Sequence, residues 1–382
     1  MNVSVKHSES SPFTKCVVSS MRKLYPEALA DKSFDNTGLL LEAPIDQTPF
    51  DNSRIQNNSV LLAIDLTAAV AQEAIEKRHS VIVAYHPIIF RGLKSLTFAD
   101  TQQRSLLRLA QHGISVYSPH TAVDTVPGGM ADWLCDVVTG NFKPVENTPK
   151  ATIESCNSSM YSAPTYPESP IPAVQTPSQG PPHTRSTIHP SPPASIPEGF
   201  ESAGAGRLVT FAEKQPLTTL IDNIACGIGL PGGIPIAIPQ DQSVDAISIR
   251  TVGMCPGSGS GVLLKGDGEL PDLLLTGEMS HHEALAATER GSVVISLSHT
   301  NSERGYLRAV MQPKLQAEVT EQWNKAFLDS AKALEHLNKY GGLAPPVSEF
   351  RIRDLYKEQG VASVSVSEAD RDPYGIMIWR GN

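Results

Sequence analysis

The sequence predicts an α/β protein of two lobes, and three observations carry that prediction. Continuous apolar runs of strand length alternate with amphipathic helical stretches, the pattern of parallel strands covered by helices on both faces. The strand–helix–strand order occurs twice at nearly equal spacing, with 15 residues from Asp65 to Ser80 and 16 from Thr276 to Ser292. Between the two copies, the 40 residues from Tyr161 to Phe200 hold 11 prolines and 10 Ser or Thr, with almost no aliphatic periodicity. Such a stretch buries too little to offset its ordering entropy, so it reads as a linker. The expected organisation is an N-terminal lobe over 13–145, a disordered linker over 146–205 and a C-terminal lobe over 206–377.

In the first lobe, Val17, Val18, Met21 and Leu24 share one face of a helix that starts at Phe13 and stops before Pro26. Val60–Asp65 is an unbroken apolar run fit for a strand buried on both faces, and Thr67 is placed to cap a helix carrying Val70, Ala71, Ala74 and Ile75. Ser80–His86 is the next buried strand, so the three elements form a βαβ unit with parallel strands. A helix over 103–111 leads into the strand Ile114–Tyr117. The second lobe opens with a strand over Ala246–Val252, then repeats the plan. Asp272–Thr276 is a strand, Ser280 with Glu283 makes a capping box, Gly291 closes the helix, and Ser292–Leu297 is the following strand. An internal duplication is the natural reading. Downstream, Glu303–Val319 is helical with an interruption at Pro313, a polar helical segment runs from about 321 towards 359, and Val361–Val366 is a last strand.

Composition narrows the function classes. Lys and Arg number 31 against 40 Asp and Glu, a formal net charge of −9, which disfavours direct nucleic-acid binding. No apolar run approaches the roughly 20 residues that cross a bilayer, and the first residues lack a signal-peptide pattern. The five cysteines, Cys16, Cys135, Cys156, Cys226 and Cys255, are odd in number and never form a C-x-x-C pair, so neither a disulfide framework nor a thiolate zinc site is expected. A reducing compartment follows, with the cytoplasm as the expected location and the nucleus or mitochondrion as alternatives.

Ligands of open α/β sheets gather at the carboxyl ends of the strands. Four loops carry polar groups there: Tyr85-His86, His120 with Asp124, Glu278 with His281 and His282, and His299 with Glu303. Imidazole with carboxylate oxygen suits zinc, iron, manganese or nickel, and a donor set without Cys leaves positions open for water or substrate. A second ion about 3.5–4 Å from the first would be bridged by Asp124 or Glu303. A single histidine at a strand end is most often a hydrogen-bonded structural residue; four such loops together bring the metal reading level with it, so the spacing leaves both open. For His281 and His282, at a helix N-terminus, the structural reading is the stronger. Gly257-Ser-Gly-Ser-Gly261 lacks the phosphate-loop spacing and reads as a tight turn before an anion cradle; Asp35-Asn36-Thr37-Gly38 reads as an Asx-type turn.

The ordered segments Ser33-Phe-Asp-Asn-Thr-Gly-Leu39, Ile64-Asp-Leu-Thr67, Tyr85-His-Pro-Ile-Ile-Phe90, Ser118-Pro-His-Thr-Ala-Val-Asp124, Thr276-Gly-Glu278, Ser298-His-Thr-Asn-Ser-Glu303 and Ser367-Glu-Ala-Asp-Arg-Asp-Pro373 resemble the Nif-three family. Its full name is NGG-interacting factor 3-like, and it is also labelled GTP cyclohydrolase 1 type 2 homologue. The likeness runs from about Phe13 to Met377, except for the linker and the segment 321–359. It implies a two-lobed Nif-three-like fold with an internal repeat and a cleft between lobes that holds a pair of divalent metals. The implied ligands are His86, Asp124, His299 and Glu303, with His120 adjacent. Many bacterial members have two consecutive histidines where this chain has Tyr85-His86, so either the Tyr85 phenolate substitutes or that position is weak or empty. Tyrosine there resembles the eukaryotic branch, and the hexameric rings of bacterial relatives imply a homo-oligomer.

Two functions compete. One is a metal-dependent hydrolase acting on a small nucleotide-like, pterin-like or phosphoester substrate, with His120 or Glu303 moving the proton. The other is a non-catalytic metal-holding scaffold, with a protein partner in transcription implied by the family name.

Overall fold

The structure, a computed structural model, describes residues 10–43, 57–141, 180–229, 233–266, 268–340 and 361–377, with side chains of the long C-terminal helix described as far as 329. Its contacts divide into two units, Met1–His120 with Met311–Asp370, and Thr121–Val310 with Arg371–Asn382.

The first unit begins with α1 (Pro12–Leu24), whose proline occupies a position where a missing N–H costs nothing and whose predicted face, Phe13, Val17, Val18 and Met21, is buried. β1 (Gly38–Leu41) is short and was not predicted. In β2 (Ser59–Ala63) and β3 (Val81–Ala84) every residue is buried, as continuous apolar runs require. Between them lies α2 (Ala68–Glu76), with Thr67 Oγ1 accepting from the Val70 N–H at 3.3 Å as the expected cap. α3 (Thr101–Gln111) is capped by Asp100 and leads into β4 (Ser115–Ser118). Leu61, Ala71, Ala74, Ile82, Leu106, Leu109 and Val116 close one core between these strands and helices.

The second unit opens with α4 (Thr121–Thr125) and α5 (Met130–Thr139), which belong with the following strands rather than with the preceding lobe. Arg207, 3% exposed, is the physical reason: its guanidinium donates to Asp132 Oδ1 at 3.0 Å and to the carbonyls of Thr125 and Val126. Next come β5 (His183–Pro190), β6 (Gly204–Pro216), α6 (Leu217–Ile228), β7 (Ile236–Ala237), β8 (Ser248–Ser258), the single turn α7 (Ser260–Leu263), β9 (Leu273–Glu278), α8 (His281–Glu289), β10 (Val293–Ser296) and α9 (Asn301–Tyr306). Their sheet has the order β5-β6-β8-β9-β10-β7, with β8, β9 and β10 parallel and the rest antiparallel to their neighbours. β5 lies inside the stretch expected to be linker. Among the described residues it is an edge strand paired with β6, where prolines and polar side chains are tolerated. The proline-rich residues 142–179 lie outside the described residues.

The chain crosses back through a π-helical turn, Leu307–Met311, into α10 (Gln312–Tyr340). This is the interruption expected at Pro313, which has no N–H to continue the regular ladder. Trp323 packs edge-on to Phe13 at 5.2 Å, so one face of the polar segment is core. The expected extension to 359 passes outside the described residues at 341.

The last strand, β11 (Ser363–Val366), pairs in parallel with β2 and so completes the sheet of the first unit, not the second as the linear order suggested. That sheet has the order β1-β4-β3-β2-β11, parallel except for β1. Gln316 ties α10 to the edge, receiving the Val364 N–H at 2.7 Å and donating to the Ala362 carbonyl at 2.8 Å. Each unit thus contains a parallel βαβ element, within a mixed α/β architecture of two sheets. No helix among the described residues is long and apolar enough to cross a membrane.

Candidate metal centre

In the first unit, the carboxyl ends of β2, β3 and β4 deliver Asp65, His86 and His120. The His86 N–H donates to the Ile64 carbonyl at 3.0 Å, and its Nδ1 lies 2.9 Å from Asp65 Oδ1. His120 Nδ1 lies 2.7 Å from Asp35 Oδ1, whose side chain is fully buried. The two imidazoles stand 5.5 Å apart at 68°, and the ring of Tyr85, only 2% exposed, packs against both at 4.9 and 5.4 Å. His120 has φ +35°, a costly conformation for a non-glycine residue.

In the second unit, β9 ends at Glu278 and β10 runs towards His299. His299 Nδ1 lies 2.9 Å from Glu278 Oε1, and its Nε2 lies 3.6 Å from Oε1 of Glu303, a carboxylate 1% exposed. Two donors each about 2.1 Å from one ion in tetrahedral geometry lie about 3.4 Å apart, so this pair fits a shared cation. Ser298, immediately before the histidine, has φ +69°.

An ionised carboxylate only accepts hydrogen bonds, so Asp65, Asp35 and Glu278 each fix the proton of their histidine on Nδ1. Nε2 is then the basic nitrogen in all three rings, the arrangement that carboxylate-backed metal-binding histidines use.

Glycines make the approach possible. A Cβ built on Gly257, which has φ +60°, would sit 2.7 Å from Glu303 Oε1 and 3.0 Å from His299 Nε2. On Gly277 it would sit 2.7 Å from Ser302 Oγ. The glycine-rich stretch does not cradle an anion, because the N–H groups of Gly257 and Gly259 donate to Ser302 Oγ and Thr276 Oγ1 at 2.8 and 3.0 Å. Ser302 lies inside α9 and donates to the His299 carbonyl at 2.7 Å; Thr300 is the capping position. Burial pushes the Cys255 thiol well up, and the carboxylates of Asp124 and Glu303 push it further. That shared influence places the Asp124 and Glu303 charges near the end of β8.

The structure therefore pairs His86 with His120 and Tyr85 in one unit, and His299 with Glu303, with Asp124 nearby, in the other. His281 and His282 are exposed at the first turn of α8, ring against ring at 5.1 Å, above the expected capping box. From sequence Asp35 is assigned to a turn and Glu278 is grouped with His281 and His282; none of the three carboxylates, Asp65 included, is matched there to the histidine it holds. A signal for two of them exists: Asp65 precedes His86, and Glu278 precedes His299, by the same 21 residues.

The family model Duf34/NIF3 (NGG1p interacting factor 3) matches residues 14–333. The chain belongs to the Duf34/NIF3 family. It is 40% identical to the protein NIF3 homolog of Schizosaccharomyces pombe over 77% of this chain and 86% of that one. It is 36% identical to the NGG1-interacting factor 3 of Saccharomyces cerevisiae over 79% and 90%. Among solved structures, a Bacillus cereus protein related to NIF3 superposes with a TM-score of 0.56 at 16% identity, over 97% of this chain and all of that one. At that identity the likeness shows a mixed α/β fold shared by the two chains.

Proposed function

We propose that this Duf34/NIF3 chain holds one or two divalent cations with His86, Asp124, His299 and Glu303, as a metal-dependent hydrolase. The observation that carries the reading is the carboxylate on Nδ1 of each of three histidines at strand ends, which makes Nε2 the basic nitrogen of each ring. Neutral imidazoles with a buried carboxylate and no thiolate suit zinc, iron, manganese or nickel. Such a cation, when bound, lowers the pKa of water and polarises a carbonyl, ring carbon or phosphoryl group. Beside it, His120, steadied by Asp35, is placed to carry a proton, and Glu303 is the alternative carrier. Tyr85 supplies packing for the two first-unit imidazoles, and its phenol is the proposed stand-in for an imidazole at a second ion. The equal 21-residue spacing in the two βαβ elements supports a duplication that gives each unit one carboxylate-backed histidine.

The test is elemental analysis of gently purified full-length protein and its Tyr85→His and His299→Ala variants. The same proteins are then screened for turnover of nucleotides, pterins and phosphoesters. Bound metal lost with His299→Ala, and turnover lost with it, supports the hydrolase; metal retained in that variant sinks the site.

The printed name of the Saccharomyces cerevisiae relative favours a second reading, a metal-holding scaffold with a protein partner in transcription. Persistent inactivity with metal intact, together with a partner captured by the chain, would select it. A ring-shaped homo-oligomer goes with either reading and is checked by native mass measurement.

A further inference from the structure

The geometry points to Asp370 and Asp372 as positioning residues for the two histidines that carry the proposed metal centre, a reading on which this one rests. The segment Ser367–Asp372 follows β11, and its polar atoms are committed in a specific order. Ser367 Oγ donates to the buried carboxylate of Glu73 on α2, which also accepts the N–H groups of Glu368 and Ala369 at 3.2 Å each. So fixed, Asp370, 8% exposed, accepts the Ile64 N–H at 2.6 Å and the Asp65 N–H at 3.4 Å. Those two amides are the backbone of the turn whose Asp65 carboxylate holds Nδ1 of His86.

Two residues on, Asp372, 2% exposed, serves the second unit. Its Oδ2 accepts the Thr300 N–H at 3.2 Å and the Thr300 hydroxyl at 2.7 Å, while Oδ1 accepts the Tyr374 N–H at 2.8 Å. Thr300 follows His299 directly, and its carbonyl accepts the Glu303 N–H at 3.2 Å, so it anchors the turn from which both donors project. The Thr300 hydroxyl also accepts from Arg304 Nη2 at 2.8 Å. Both oxygens of each aspartate are acceptors. An asparagine would turn an N–H₂ towards an N–H on one side, and the turn it serves would move. Neither aspartate is a ligand; each acts through the backbone under a histidine.

The experiment measures zinc affinity of the full-length chain by competition with a chromophoric chelator, and the visible absorption of the cobalt(II) form. Asp370→Asn and Asp372→Asn are each expected to weaken zinc binding by about 10-fold to 100-fold, the range for groups that orient metal ligands, and to alter the cobalt spectrum. Far-UV circular dichroism should stay that of the parent. Thr67→Ala, a comparable loss of stability at a helix cap, should leave the spectrum unchanged. Because Asp370 acts through Asp65, Asp65→Asn combined with Asp370→Asn should bind zinc no worse than Asp65→Asn alone; additive losses overturn that route. Zinc affinity within twofold of the parent and an unaltered spectrum in both aspartate variants overturn the inference as a whole. His86→Ala and His299→Ala separate the two readings. If they too bind like the parent, the metal centre itself is wrong and this inference falls with it. If they lose zinc while the aspartate variants keep it, only the positioning role fails. Should an asparagine variant not fold, Asp370→Glu, which displaces the acceptor of the Ile64 and Asp65 N–H groups, and Thr300→Val, which deletes the two hydrogen bonds of the Thr300 hydroxyl, carry the same test.

Discussion

At position 79 an imidazole sits 6% exposed at the start of β3, with Nδ1 2.9 Å from Ser59 Oγ. Burial is the main cause that lowers its pKa from 6.5 to about 4. A folded-state pKa below the unfolded one means stability that is full above pH 6.5 and lost as pH falls towards 4. The gap corresponds to about 3 kcal/mol, so urea unfolding at pH 7, 6 and 5 should show stability falling, and His79→Gln should flatten that part of the profile. An equal slope in both proteins would assign the acid sensitivity elsewhere. Gly257 sets a different constraint at the same scale. With φ +60° and His299 and Glu303 against its α-carbon, Gly257→Ala should destabilise the protein by about 1–3 kcal/mol. Zinc affinity should fall with it, read by denaturation and chelator competition.

Among the elements, α5 depends on one buried cation. Arg207→Met removes the partner of Asp132 and four carbonyl contacts at 2.7–3.3 Å, and breaking a buried pair of this kind costs about 3–5 kcal/mol. Thermal denaturation should register that loss; a change below about 1 kcal/mol would show the pair to be a bystander. Elements differ in how plainly the sequence announces them. β2, α2 and β3 are legible because each rests on a local signal: an unbroken apolar run, a Thr67 cap, a second run. β1 and β5 are not, since an edge strand of four residues or of mixed polar character gains its stability from a partner distant in sequence. The assignment of β11 to the first sheet fails to show for the same reason, as pairing Val364 with Val60 spans most of the chain. At the site, the histidines were visible from their place after strands, whereas Asp35 looked like a turn former because its partner His120 lies 85 positions further along the chain.

For the whole molecule, metal and stability should be coupled. A ligand that binds only the folded chain stabilises it by RT ln(1 + [L]/Kd), about 2.7 kcal/mol at a hundredfold excess over Kd. Zinc should therefore raise the melting temperature of the parent, and the rise should shrink in His86→Ala and in His299→Ala. An undiminished rise in both variants would count against the proposed donors. The net charge of −9 sets a companion expectation, that titration with duplex DNA at physiological salt produces no binding signal.

The first unit takes its residues from both 1–120 and 311–370, while 121–310 of the second is continuous. During biosynthesis the ribosome releases β2 some three hundred residues before β11, the strand that covers its open side. Until then a fully apolar strand edge stands bare, a template for pairing with other chains. Nascent or prematurely terminated products ending before position 363 should consequently need chaperone holding, and a premature stop late in the message would be far more damaging than its distance from the histidines suggests.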